Sequence, residues 1–189
     1  MSSGGRRLAD LQQGDLDQNQ MRLYELITGG PRAGDQSASP IVDENGSLAG
    51  PFGPMLLSPA VGAPLQELGA AIRYRSILPP RVREAAILLV AASEGSAFEW
   101  SAHHRLATAA GLTETDVALI QAGRAPAGVT PEEDALLAAA LLLVQGGAID
   151  DAPYARLAAS AGEKALFELC TLVGYYRTLA LVMRLFGID

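Results

Sequence analysis

Two regimes of hydrophobic patterning meet near residue 58. Before it, small and polar residues predominate and glycine or proline recurs every few positions. After it, apolar positions recur at helical spacing between clear start and stop signals. Residues 1–14 are small and polar without periodicity, which reads as disorder. Leu16, Leu23, Leu26 and Ile27 then form a stripe that predicts a short amphipathic helix over 15–28, ended by Gly29-Gly30-Pro31. Pro31, Gly34, Pro40, Gly46 and Gly50 punctuate the next stretch, before Pro51-Phe52-Gly53-Pro54. A connection of that length (31–57) reads as either a lid or an arm laid on a neighbouring subunit.

From Ser58 onward the helix boundaries are written in capping chemistry. Ser58-Pro59 offers an N-cap and a first-turn proline, opening a helix to about residue 76. Pro79-Pro80 starts the next helix, which carries Glu84 and the apolar run 85–92 and stops at Gly95. Thr113-x-x-Asp116 and Thr130-Pro131-Glu132-Glu133 place side-chain oxygens and first-turn acids where the orphan N–H groups of a helix need acceptors. Two more helices follow over 152–161 and 163–186. The segment 135–144 is apolar all round, so its helix belongs at the centre of the domain or in a subunit contact. Val and Ile fall inside helical periods, and nothing reads as a strand. The fold class predicted is all-α, an orthogonal helical bundle in a single domain. It has an N-terminal tail, short helix and long loop over 1–57 and a helical domain over 58–189.

Composition sharpens that picture. The chain has 189 residues, enough for one well-filled domain, with 49% hydrophobic and only 5% aromatic residues, which suits close-packed helices. The formal charge of −7 comes without a basic cluster, which argues against nucleic-acid binding. Cys170 is the single cysteine, so neither an intramolecular disulfide nor a cysteine-based metal site is expected. Within Leu169-Cys170-Thr171-Leu172-Val173 it reads as a small core residue. The two arginines near the N-terminus precede no apolar stretch, unlike a secretory signal. The longest strongly apolar run, 135–144, is too short to cross a bilayer. A soluble, cytoplasmic protein without membrane partners is expected.

Candidate chemistry concentrates in Glu94-Gly-Ser96-Ala-Phe98-Glu99-Trp100-Ser-Ala-His103-His104-Arg105. On a helix, Ser96, Glu99 and His103 stand at i, i+3 and i+7 and share one face. A carboxylate one turn before an imidazole holds its tautomer and raises its basicity, giving a proton shuttle near neutral pH. Glu84, in an apolar stretch of the preceding helix, is expected to be partly desolvated unless it has a partner. Ser96-x-x-Glu99 is equally a capping box, and the two readings are compatible. His104 points about a quarter-turn away, toward surface or interface, and Glu94 reads as solvated. Trp100 packs between helices or walls a pocket. Arg73 and Arg75 read as a solvated helix end. Arg177, after Tyr175-Tyr176 in an apolar helix, needs a partner, either a substrate carboxylate or Glu168. Glycine-rich phosphate cradles, Ser-His-Asp signatures and metal-ligand spacings are absent.

The order of Glu84, Ser96, Glu99, His103 and Gly111 resembles the carboxymuconolactone decarboxylase and alkylhydroperoxidase-D-like (AhpD-like) superfamily. Its redox branch places a Glu twelve residues before Cys-x-x-Cys-x-x-x-His, with a Gly eight residues after the His. The chain is also similar to the decarboxylase-like branch at Leu26-Ile27-Thr28-Gly29-Gly30-Pro31-Arg32, Gly50-Pro51-Phe52, Ser58-Pro59-Ala60, Leu78-Pro79-Pro80-Arg81-x-Arg83-Glu84, Phe98-Glu99-Trp100-x-x-His103 and Val173-Gly174-Tyr175-Tyr176. Ser96 and Glu99 replace both redox cysteines, so peroxidase and disulfide chemistry are lost and the acid–base part remains. The resemblance implies an AhpD-like bundle, a homo-oligomer (trimer or hexamer) and a cofactor-free, metal-free lyase or isomerase. Glu84, Glu99 and His103 would be catalytic, with Ser96, Trp100, Tyr176 and Arg177 binding a small organic acid, lactone or keto compound. The alternative is a non-catalytic oligomeric helical protein whose pocket binds a ligand or partner.

Overall fold

The computed structural model describes residues 6–30, 40–146 and 149–188. Among them all regular structure is helical: a 3-10 turn at Gln13–Asp15, then α1 (Gln18–Thr28), α2 (Phe52–Met55), α3 (Pro59–Tyr74), α4 (Pro80–Glu94), α5 (Ala97–Ala109), α6 (Glu114–Gln121), α7 (Pro131–Val144), α8 (Asp151–Ala161) and α9 (Glu163–Phe186). A lone antiparallel bridge, Val42 to Leu48, is the only β pairing among the described residues. The all-α expectation holds. Two compact units emerge, 1–75 with 179–189, and 76–178. The division falls after α3, whereas the change of patterning lies at residue 58.

In the first unit α1 starts at Gln18 rather than at 15, because Asp17 takes the capping role. Its carboxylate accepts from the N–H groups of Asn19 and Gln20, and the Gln20 side chain accepts in return from the Asp17 N–H. Leu23 and Ile27 are buried as the stripe predicts, but Leu26 is 50% exposed. Tyr24 takes its place, donating its hydroxyl to the Gly46 carbonyl at 2.9 Å. α3 packs against α1 and α2. Gly62 marks the closest approach, since a Cβ there would sit 2.3 Å from the Met55 carbonyl oxygen. Ser58 stands at the N-cap position of α3, yet its side chain makes no capping bond.

One expectation for the N-terminal region needs correction, within residues 6–14; residues 1–5 lie outside the described residues. Residues 6–14 are ordered: Arg7 donates its backbone N–H to Phe186 O at 2.8 Å and its guanidinium to Leu185 O at 2.9 Å. Gln12 adds a bond to the Ser47 hydroxyl at 3.0 Å. Of the long connection, residues 31–39 lie outside the described residues. Its described part folds back on itself, with Ile41 and Leu48 buried and the Asp43 carboxylate accepting from the N–H groups of Asn45 and Ser47.

In the second unit α4 is the central element, packed against α5, α6 and α7. Val82 and every residue from Ala85 to Ala91 are buried. Gly95, at φ +67°, adopts the left-handed conformation that ends α4 and frees Ser96 N–H to donate to Ala91 O at 2.9 Å. Ser96 Oγ then accepts from Glu99 N–H at 3.3 Å and opens α5, so two residues connect the helices. α6 begins with the Thr113/Asp116 capping box and α7 with Thr130, as their sequences predict. Arg81 ties these starts together, with Asp116 at 3.1 Å, Glu133 at 3.3 Å and the Ala127 carbonyl at 3.1 Å.

α7 is not buried all round: Leu136, Leu137, Ala139 and Ala140 face inward, whereas 141–143 are half-buried. α9, among the described residues, is long and apolar enough to cross a membrane by length and composition; 44% of its most apolar window is buried within the protein. Leu169, Leu172, Val173 and Tyr176 form its inner face. Cys170 lies on the opposite side and is exposed, correcting the core assignment.

These caps generate two expectations. Ser96→Ala and Thr113→Ala should each lower the unfolding free energy by about 1 kcal/mol, as measured by urea denaturation. Burial works against the charged form of Asp116, but hydrogen bonds from the Thr113 backbone and hydroxyl, together with Arg81, hold its carboxyl below the usual carboxylate range. Its contribution to stability is therefore complete above an unfolded pKa of about 3.9 and disappears as pH falls through the lower folded value. Asp116→Asn should flatten that acid limb of the stability profile, read by urea titration in a series of acidic buffers.

Candidate active site

Glu84 and His103 are brought together by the α4–α5 pair. Glu84 lies in the second turn of α4, one position before its most apolar stretch, and is 4% exposed. His103 is 5% exposed on α5. Its Nδ1 lies 2.8 Å from Glu84 Oε2, so the carboxylate that holds Nδ1 comes from the preceding helix. The i, i+4 spacing had pointed to Glu99 for that role. Glu99 is 2% exposed; its backbone N–H is capped by Ser96, and its side chain is buried on α5. The Ser96 half of the predicted capping box is thus present.

Other groups complete the surroundings. The Tyr176 ring stands edge-to-face with the His103 imidazole, with centroids 5.2 Å apart at 88°, and Tyr175 stacks similarly on Tyr176 at 5.3 Å. Arg83, which sequence reasoning left without a role, brings its Nε to 3.4 Å from Glu84 Oε1. Its position directly before a buried carboxylate was the available signal. Trp100 is half-buried and lies against His104, with centroids 6.3 Å apart, so these two form a separate pair.

Arg177 does not pair with Glu168. Its Nε pairs with Glu94 at 3.3 Å, and its terminal nitrogens donate to the carbonyls of Leu143 and Val144 at the end of α7. Glu94 is correspondingly half-buried rather than solvated. Glu168 is used elsewhere, accepting from the Ser76 hydroxyl at 2.7 Å and the Ile77 N–H at 2.8 Å. A substrate-anchoring role for Arg177 therefore competes with a structural one that already engages its terminal nitrogens.

The chemical capacity of the arrangement follows from its tautomer. An ionised Glu84 accepts a hydrogen bond from Nδ1–H, the tautomer in which the lone pair of neutral His103 lies on Nε2. Among the described residues no group of three or more His, Cys, Asp or Glu side chains is arranged to hold a metal ion.

Residues 59–141 match the model of the carboxymuconolactone decarboxylase family, a span that contains Glu84, Ser96, Glu99 and His103. No curated protein sequence matches the chain. A solved structure of the debrominase Bmp8, a cysteine-to-alanine variant in complex with 2,3,4-tribromopyrrole, is similar with a TM-score of 0.67 and 16% identity, covering 100% of this chain and 93% of that one. The apo form of the same debrominase gives 0.64 and 17%, covering 95% and 89%. At that identity the likeness is one of fold. Residues 59–141 are thus similar to the carboxymuconolactone decarboxylase family, and the chain has an all-α fold shared with these debrominase structures.

Proposed function

We propose that this protein is an enzyme that transfers a proton to or from carbon in a small organic acid, lactone or keto compound, by decarboxylation or isomerisation. The observation that carries the reading is the buried 2.8 Å bond between Glu84 and His103. An imidazole hydrogen-bonded at Nδ1 to a carboxylate is held in one tautomer and orientation, a property required of a general acid–base.

In isomerisation, neutral His103 takes a proton from the carbon beside a carbonyl, the C–H electron pair passes into the enolate, and the imidazolium returns the proton at a second carbon. In decarboxylation, loss of CO₂ leaves the electron pair on the conjugated carbon, and the His103 imidazolium supplies the proton that carbon takes up. Solvent restores that proton in each turnover. A substrate whose own carbonyl delocalises the charge needs no cofactor for either step. Tyr176, against the imidazole, is suited to line the substrate side, and Glu99 to act from the same face of α5. With Glu84, Glu99 and His103 nearly fully buried, substrate entry requires movement of the surrounding side chains or helices. The redox alternative loses support from Ser96 and Glu99 at the cysteine positions of the related branch.

We further propose a homo-oligomer, supported by exposed Phe167, Leu181 and Leu185 on α9, at 71%, 53% and 62%. Light scattering at micromolar concentration should give a multiple of the 19.7 kDa chain mass, and a stable monomer would contradict this.

For the chemistry, His103→Ala should lower turnover on the true substrate on the order of 10²–10⁴-fold. Glu84→Gln removes the charge beside Nδ1, so His103 loses its proton more easily and the pH–rate profile should move to lower pH, further than in Glu99→Gln. Thiol reagents should label Cys170 without slowing the chemical step. Full activity in His103→Ala would overturn the role given to His103 and move the chemistry to Glu84 or to another subunit.

A further inference from the structure

Adjacent residues on a helix point about 100° apart and do not ordinarily face each other. Arg83 and Glu84 nevertheless make an ion pair, with Arg83 Nε 3.4 Å from Oε1 and side-chain exposures of 18% and 5%. The long arginine stem has folded back along α4 to reach its neighbour in a mostly buried setting. Oε1 is thereby directed to a cation and Oε2 to the imidazole. We propose that Arg83 is a positioning residue for the Glu84–His103 pair: it keeps the buried Glu84 carboxylate ionised and leaves Oε2 for His103 Nδ1–H.

Other charged and titratable groups lie around the pair. On α4, Arg81 stands one turn before Glu84, with its charge already taken by Asp116 of α6 and Glu133 of α7. From α5 comes Glu99, and from α9 the phenols of Tyr175 and Tyr176. The Arg83 guanidinium contacts the Glu84 carboxylate, and its removal has a definite sign. Without the guanidinium, Glu84 holds its charge less readily in the buried site, and His103 no longer experiences a nearby positive charge. Both effects favour uptake of a proton by the pair, so it should protonate at higher pH. Arg83 thus acts on chemistry through Glu84 and need not touch substrate.

The inference rests on the acid–base reading, but its test does not need the substrate. The chain has two histidines, so the ring resonances of His103 and His104 can be followed separately in ¹⁵N-labelled protein. In Arg83→Gln the His103 titration should move up by on the order of one pH unit, while Arg83→Lys, which retains the charge, should stay closer to wild type. In a Glu84→Gln background, Arg83→Gln should move His103 less, because only the direct effect of the guanidinium charge on the ring remains. An unchanged His103 titration in folded Arg83→Gln, or an equal shift with and without Glu84, overturns the proposal. Should Arg83→Gln fail to fold, the wild-type protein carries the test: the Arg83 Nε–H resonance should shift with the same midpoint as His103, and independent titration of the two would refute it. Failure of the acid–base reading would show differently, as full turnover in His103→Ala.

Discussion

A carboxylate on the most buried helix of a chain is a severe constraint, because an unpartnered charge in an apolar interior costs several kcal/mol. Glu84 meets it with partners at both oxygens, among them the His103 ring and the Arg83 guanidinium. The first ties α4 to α5. The link between these helices is short. A left-handed Gly95 followed by the Ser96 cap turns the chain in two residues, leaving little freedom for α5 to slide along α4. The register of the helix pair and the orientation of the imidazole are consequences of the same turn.

Arginines anchor α4 beyond its centre. Arg81 reaches from its first turn to acids at the N-terminal ends of α6 and α7, and Arg177 of α9 reaches Glu94 at its last residue. Arg177 also places its charge on carbonyls at the C-terminus of α7, where the helix dipole favours a cation. These pairs join different elements, so their removal would affect the relation of helices as well as local stability. Their placement at both ends of α4 holds the helix that presents Glu84.

The parts of this structure that depend on local chemistry were legible in the sequence. Thr113 with Asp116, Thr130 with Glu133, Pro80 and Gly95 mark helix ends because a cap is made within a few residues of itself. The partner of His103 was not legible to the same degree. Spacing along one helix suggests Glu99, but a contact between helices depends on how α4 and α5 cross. Arg177 repeats the point: its partners Glu94, Leu143 and Val144 are distant in sequence and come from two other helices. Cys170 was misplaced for a different reason. Its apolar neighbours suggested a core, although the helical period that buries Leu169, Leu172, Val173 and Tyr176 turns Cys170 outward. The acid–base vocabulary of Glu84 and His103 was visible; the Arg83 contact required a side-chain path that sequence does not specify.

Arg7 gives the unassuming N-terminal residues a structural purpose. The last carbonyls of a helix have no donor within the helix itself, and here those of Leu185 and Phe186 are met by the side chain and backbone of a residue near the opposite terminus. The positive charge also sits where the dipole of a 24-residue helix is negative. One short polar segment therefore acts as a C-terminal cap supplied from 178 residues away in sequence. Shortening the chain before residue 8 would fray the final turn of α9, so the two termini cannot be altered independently.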